Sequence, residues 1–392
     1  MKIVVITSEP LREIPPVSTL LQVISSGNNC EVICITFAKE NALDKYSNIS
    51  NLYIKRNTIQ YVNKSKNRLS KSFAFRVEKI AKTFCAHLIP LRYRKVLKDA
   101  DIIWIAHENV FRFGGNFFLS KLPPFIFTMY ELQLNSKNDR KIFKRAAKKS
   151  LVLVSPEYCR AHIMRAIYSR ADLPDIVPNK PINHPQTSKM IISDPRIRER
   201  IDSIEASNRK IIMYMGIISD ERPLEPIIEA VECVRDKYEF VVLGDETNYL
   251  KDLLRRYDSF TYLGSVTPPQ HLEIASHANI AYVIYVPRNN SINAVFCAPN
   301  KVYEFAGFGI PMLCNDVPGL KYIVETNGMG ICLSNLDKKS IINAIFEIEK
   351  NYEELHMSAL SYYQSEDVSE SVFSVLDEYM VKRNKSCKKG SI

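Results

Sequence analysis

The residues best placed to do chemistry stand together in Cys297-Ala-Pro-Asn-Lys-Val-Tyr-Glu-Phe-Ala-Gly-Phe-Gly-Ile-Pro-Met-Leu-Cys314, which reads as a helix opened by proline, a glycine-rich turn and a short apolar strand. Pro299 suits the first helical position, where its missing N–H costs nothing, so the free N–H groups and positive dipole end of the helix are open to an anion. Asn300 and Glu304 are four residues apart and share a face, so the carboxylate stands one turn, roughly 5.4 Å, behind that end. A nucleotide diphosphate fits this offset: its phosphates would meet the helix start and Lys301, and its ribose hydroxyls would reach Glu304 as their acceptor. The same spacing also suits an ordinary helix whose early glutamate answers the dipole and whose Val302, Phe305 and Phe308 feed a core.

Further candidates end apolar runs. Asp101-Ile-Ile-Trp-Ile-Ala reads as a buried strand finishing at His107 and Glu108, and a second strand over Pro124 to Met129 finishes at Tyr130 and Glu131. Open α/β sheets bind ligands at such strand ends, although a lone histidine there also serves structure. Ile211 to Met215 runs into Gly216, where a missing side chain lets backbone approach a phosphate. Arg222 follows closely and would neutralise that phosphate, or would be a solvated loop charge.

These residues need a scaffold of alternating strands and helices. Lys2 to Thr7, a helix through Val17 to Ile24, and Glu31 to Phe37 form a βαβ opening, and a second series starts at Lys210. Between them, residues 182–208 are polar and punctuated by proline, as a linker is. No Gly-x-Gly-x-x-Gly follows the first strand, which argues against a dinucleotide-binding dehydrogenase. With 392 residues, 46% of them hydrophobic, the chain is long enough for two similar α/β domains. Nine scattered cysteines, without ligand spacing, read as reduced core thiols. No apolar run reaches the ~18 to 20 residues of a membrane span, and the first residues are too short for a signal-peptide core, so a cytoplasmic protein is expected.

The net charge of +10 is local: residues 55–98 hold thirteen Lys or Arg against Glu78, which makes that segment +12 and leaves the rest at −2. From Leu69, apolar residues at 69, 73, 77, 80, 84 and 88 alternate with Lys71, Arg76, Lys79 and Lys82 until Pro90, the pattern of a basic amphipathic helix. It would pack on the first sheet or lie on an anionic membrane surface. Nucleic acid is disfavoured, because no recognisable nucleic-acid motif accompanies the charge.

Residues 299–313 resemble the donor-site signature of bacterial family 4 glycosyltransferases, which often read Pro-Asn-Lys-x-x-Glu-Tyr-x-x-x-Gly-x-Pro at this point. The resemblance implies a GT-B fold, with two Rossmann-like domains facing across a cleft and a C-terminal helix returning to the first. The expected divisions are an acceptor-side domain at 1–185, a linker at 186–208, a nucleotide-sugar domain at 209–365, the returning helix at 366–384 and a basic, disordered tail at 385–392. His107 matches the family's histidine that contacts the donor sugar, and Glu131 falls where relatives often carry a His-Asp or His-Glu pair. Gly216 matches the turn that meets the diphosphate, with Arg222 roughly where the family usually has lysine. The Leu263-Gly264-Ser-Val266 region would hold the base through its backbone. A sugar-contacting glutamate of many relatives is Phe296 here, and their paired glycines of the first turn are replaced by Glu9-Pro-Leu-Arg-Glu-Ile-Pro-Pro16.

The implied activity is transfer of a sugar from a nucleotide sugar to a saccharide or lipid-linked acceptor in bacterial surface polysaccharide assembly. Retention of configuration is implied, and neither a metal nor a cofactor is expected, since no Asp-x-Asp motif accompanies these residues. A nucleotide-sugar epimerase or other GT-B enzyme would share the donor site, and a non-catalytic membrane-surface scaffold would explain the basic patch.

Overall fold

The computed structural model describes residues 1–9, 11, 14–27, 30–36, 51–56, 68–133, 136–288 and 291–389, with side chains for all of these except 56, 68–75 and 386–389. The chain forms two compact units: residues 1–178 with 367–392, and residues 179–366.

The first unit runs β1 (Lys2–Thr7), α1 (Pro15–Ser26), β2 (Glu31–Thr36), β3 (Leu52–Arg56), α2 (Arg68–Arg92), α3 (Arg94–Lys98), β4 (Ile102–Ile105), α4 (Asn109–Lys121), β5 (Ile126–Thr128), α5 (Lys137–Lys149), β6 (Val152–Ser155), α6 (Tyr158–Tyr168) and β7 (Asp175–Ile176). All strands pair in parallel in the order β3-β2-β1-β4-β5-β6-β7. Runs such as Ile3-Val-Val-Ile6 and Ile102-Ile-Trp-Ile105 are buried throughout, as strands covered on both faces must be.

The second unit contains α7 (Pro195–Ala206), β8 (Lys210–Met215), α8 (Glu225–Glu232), β9 (Tyr238–Leu243), α9 (Asn248–Arg256), β10 (Thr261–Tyr262), α10 (His271–Ala275), β11 (Ile280–Val283), α11 (Ile292–Val295), α12 (Asn300–Ala306), β12 (Met312–Asn315), α13 (Pro318–Leu320), β13 (Gly330–Leu333), α14 (Lys338–Lys350) and α15 (Tyr352–Ser365). Its parallel sheet runs β10-β9-β8-β11-β12-β13. Strand order therefore reverses between β1 and β4 in one unit and between β8 and β11 in the other. At such a switch point neighbouring connections leave toward opposite faces of the sheet and open a crevice at the strand C-termini.

The last helix, α16 (Val368–Lys389), belongs to the first unit. Val372, Val375, Leu376 and Tyr379 join Ile3, Leu20, Ile24 and Trp104 in one core. The Tyr379 hydroxyl donates to the Pro124 carbonyl at 2.8 Å, and Lys382 pairs with Asp172 at 3.0 Å.

Several boundaries differ from the sequence-based expectation. The first unit's leading segment ends at Pro178, not 185, and the expected linker at 186–208 carries α7, whose Ile197, Ile201 and Ile204 are buried in the second unit's core. Polar composition concealed a helix that buries only one stripe. Helix α2 continues two residues past Pro90, because a proline one turn from a helix end disturbs little that follows it. Helix α16 runs to Lys389 through most of the expected disordered tail, with residues 390–392 outside those described.

Candidate functional site

In the second unit, β8 ends at Gly216, which is exposed and has φ +120°, a backbone conformation that side chains oppose. Behind it lies Lys301, 8% exposed, with Nζ 3.1 Å from the position a Cβ on Gly216 would take. That ammonium has no hydrogen-bond partner among the described residues. It sits 4.3 Å from the Tyr214 ring centre and 5.9 Å from that of Tyr285, while the Arg222 guanidinium lies 4.8 Å from the same Tyr285 ring. Burial pushes the Lys301 ammonium down to about 7, with repulsion from Arg222 adding to the effect and Glu304 opposing it. Two cations thus share an aromatic cradle at the β8/β11 switch point. Gly244 closes the cradle's floor: a Cβ there would fall 2.2 Å from the Gly216 carbonyl oxygen.

Helix α12 begins at Asn300, with Pro299 as the extended residue before it and not the first helical residue. The amide of Asn300 is therefore part of the helix start, and its side chain is half-buried. The Lys301 ammonium, expected beside phosphates, is buried and lies against the end of β8. Glu304 stands one turn on, as the spacing requires, and its Oε1 is 3.2 Å from Nε2 of His271. The Nε2 of His184 donates to the Glu304 backbone carbonyl at 2.8 Å. Neither histidine was legible as a site residue, because each meets Glu304 only through tertiary structure.

Gly264 follows β10 with φ +87°, and nothing stands within 4 Å of where its Cβ would be. Val266 lines a cavity of about 500 Å³ with Ile192, Ser265, Thr267, Gln270 and Glu273. Phe296, at the end of α11, leads into Cys297 and the start of α12.

The first unit has its own polar cluster at the β1/β4 switch point. His107 follows β4 and is buried; its Nδ1 accepts from the Asn109 amide at 3.1 Å, so the proton of the neutral ring belongs to Nε2. Glu108 is fully buried and accepts from the Tyr130 amide at 3.1 Å and from Gln133 Nε2 at 3.3 Å. Glu9, just past β1, accepts from Asn109 Nδ2 at 2.9 Å and pairs with Lys82 at 3.1 Å. Burial pushes the Glu9 carboxyl up, but Lys82, Asn109 and His107 together hold it below its ordinary value. Arg112 extends the cluster through Asn109, Gln133 and Asp139. Glu131 lies outside it, with a side chain 47% exposed and 3.9 Å from Arg160. No sequence signal marks Glu9, because Asn109 and Lys82 reach it only through the fold.

Helix α2 buries Ala81, Cys85, Ala86 and Ile89 and exposes Ile80 (69%), Phe84 (54%) and Leu91 (63%). Arg76 and Lys79 are exposed beside them. Lys82 departs from the expected basic face: it bonds Glu9 and Glu78, at 3.1 and 3.4 Å, since those carboxylates offer it more than solvent does. The Lys71 side chain lies outside the described residues. Among the described residues no helix is long and apolar enough to cross a membrane, and no three His, Cys, Asp or Glu side chains group as a metal site.

Residues 209–351 match the family model for glycosyl transferases group 1. By sequence, the chain matches no curated protein. Its fold is similar to that of HepE from Anabaena in complex with UDP-glucose, with a TM-score of 0.67 at 13% identity over 99% of this chain and 100% of that one. It is similar to sucrose-phosphate synthase from Thermosynechococcus elongatus, with a TM-score of 0.63 at 13% identity over 99% and 98% of the two chains. A trehalose-6-phosphate protein from E. coli bound with UDP-2-fluoro glucose gives a TM-score of 0.68 at 10% identity over 97% and 99%. The likeness extends over both units, and the family match falls on the unit that holds Gly216, Lys301 and Glu304: the chain has the two-unit fold of these proteins, and its residues 209–351 match glycosyl transferases group 1.

Proposed function

We propose that the protein transfers a sugar from a nucleotide-sugar donor to a saccharide or lipid-linked acceptor in bacterial surface polysaccharide assembly. The observation that carries the reading is Lys301. A buried ammonium without a hydrogen-bond partner among the described residues, behind an exposed glycine and beside Arg222, is unfavourable until an anion arrives. A donor diphosphate is that anion. Gly216 admits it, Lys301 and Arg222 neutralise it, Glu304 accepts the ribose hydroxyls, the backbone around Gly264 and Val266 holds the base, and the Asn300 amide end of α12 adds a dipole.

In the reaction the bond from the anomeric carbon to the phosphate oxygen breaks and the acceptor hydroxyl oxygen takes its place. Negative charge grows on the diphosphate, so fixed cations there stabilise the transition state more than the ground state. The reaction is retaining and needs neither metal nor cofactor: the acceptor attacks from the face the phosphate leaves, and a departing phosphate oxygen takes the hydroxyl proton. His107 contacts the transferred sugar, and Glu131 is the second residue assigned to the sugar side. The solved HepE complex and the E. coli protein hold UDP sugars, which makes uridine diphosphate the first donor class to try. The exposed apolar and basic face of α2 would rest on the anionic inner face of the cell membrane, where a lipid-linked acceptor is found.

Thermal stabilisation by UDP, GDP, ADP and CMP tests the reading. A nucleotide at a hundred times its Kd adds about 2.7 kcal/mol of stability, a clear rise in melting temperature. One nucleotide should give it in the native protein and far less in Lys301→Met; silence with all four overturns the proposal.

A further inference from the structure

We infer that His271 is a positioning residue for Glu304, which makes it a determinant of ribose recognition. The inference rests on the donor-site reading above and adds to it a residue that no motif marks. His271 opens α10 and approaches α12 from the side, with Nε2 3.2 Å from Glu304 Oε1. An ionised carboxylate can only accept, so Nε2 is the donor, and His271 Nδ1 is buried without a partner among the described residues. The imidazole thus makes one polar contact here, and it is with this carboxylate.

Glu304 is held at a second point. The His184 ring donates to its backbone carbonyl and lies against Gly307, where a Cβ would come within 2.6 Å of the ring. Two histidines from separate segments thus fix the backbone and the carboxylate of one residue. A glutamate side chain is otherwise among the more mobile, and ordering it in advance removes that cost from binding. With Oε1 engaged by His271, Oε2 and the remaining lone pairs are set for the two vicinal hydroxyls of a ribose. A histidine that merely tied α10 to α12 would matter equally for every nucleotide.

Calorimetric titration with UDP, GDP and ADP and with their 2′,3′-dideoxy counterparts separates these roles. In the native protein the ribose form of the preferred nucleotide should bind at least about tenfold tighter, the equivalent of one charge-assisted hydrogen bond. His271→Leu should shrink that preference to within about threefold while the dideoxy affinity stays within about twofold, since only acceptor geometry is lost. His271→Gln, whose amide can still donate, should keep most of it. Melting curves accompany each variant, and His271→Asn, with its shorter reach, replaces His271→Leu should the latter not fold. A preference unchanged in His271→Leu, or equal loss for ribose and dideoxy forms, overturns the role of His271. Failure of all three nucleotides to bind, or a native protein indifferent to the ribose, is a separate result and strikes at the donor site itself.

Discussion

Lys301 predicts an unusual pair of pH dependences. Its ammonium is held at about 7 in the unliganded fold, against an ordinary 10.5. Above pH 7 the folded protein therefore binds fewer protons at this group than the unfolded chain does, so raising the pH from 7 toward 10 stabilises the unliganded fold through Lys301 by up to about 1.4 kcal/mol per unit. Nucleotide binding moves the other way, because a diphosphate prefers the charged form. With a free value of about 7, the charged fraction falls from about 0.9 at pH 6 to about 0.1 at pH 8 and 0.01 at pH 9, so Kd should weaken about tenfold and then a hundredfold. At pH 8 about 0.9 proton should be taken up per nucleotide bound. The assay is calorimetry with UDP-glucose, or the nucleotide sugar that the stabilisation screen selects, in buffers of differing ionisation heat. Its diphosphate is doubly esterified and exchanges no proton near neutrality. Arg222, Glu304, Cys297 and Cys314 surround the ammonium, with the Tyr214 and Tyr285 rings against it, so Lys301→Met is the control: it should bind weakly with neither pH slope nor proton uptake. A native Kd that is flat from pH 6 to 9, or uptake that persists in Lys301→Met, refutes the argument.

Glu304→Gln removes charge but keeps an acceptor for His271, so nucleotide affinity should fall at least about tenfold, ~1.4 kcal/mol, with the unliganded melting temperature nearly unchanged; equal affinities would return Glu304 to an ordinary helix role. His107→Ala should lower kcat far more than nucleotide affinity, as for a contact made with the transferred sugar, and steady-state kinetics beside calorimetry would show an unaffected kcat if His107 is structural. Joint replacement of Arg76 and Lys79 by Glu and of Ile80 and Phe84 by Ser should abolish binding to phosphatidylserine vesicles without unfolding the protein. Survival of that binding removes the membrane role. Lys82→Met should leave vesicle binding intact yet cost about 1 to 3 kcal/mol of stability at neutral pH by stranding the Glu9 carboxylate. Because Glu9 titrates below its ordinary value in the fold, that loss should shrink as acid protonates it, which denaturant titrations at pH 7 and pH 4 would measure.

The fold was legible because parallel strands covered on both faces leave short, continuous apolar runs, such as Ile211 to Met215, whose length and closing glycine set them apart from buried helices. The Lys301 and Glu304 positions were legible because one helical turn relates them to their neighbours in sequence. What Lys301 faces was not: helical spacing assigns a side chain to a face, but the partner of that face, here the end of β8, is some 85 residues away and set by sheet order. Lys82 illustrates the same limit, since charge composition placed it among solvated cations while the fold delivered Glu9 to it. His271 carries no local signal at all. Helix α7 shows the converse, a regular element hidden by polar composition because only three isoleucines of its stripe reach the core.

The return of α16 to the first unit sets a timetable for synthesis. Residues 179–366 form a unit from one uninterrupted stretch of chain and can complete it as soon as that stretch leaves the ribosome. Residues 1–178, although made before them, lack Val368, Val372, Leu376 and Tyr379 from their core until α16 has been made. The nascent first unit must therefore carry an uncovered apolar groove beside Leu20, Ile24 and Trp104 while nearly two hundred further residues are added. Early termination before α16 would leave that groove open for good, making such fragments natural clients for chaperones and proteases even though every residue assigned to the donor site would already have been made.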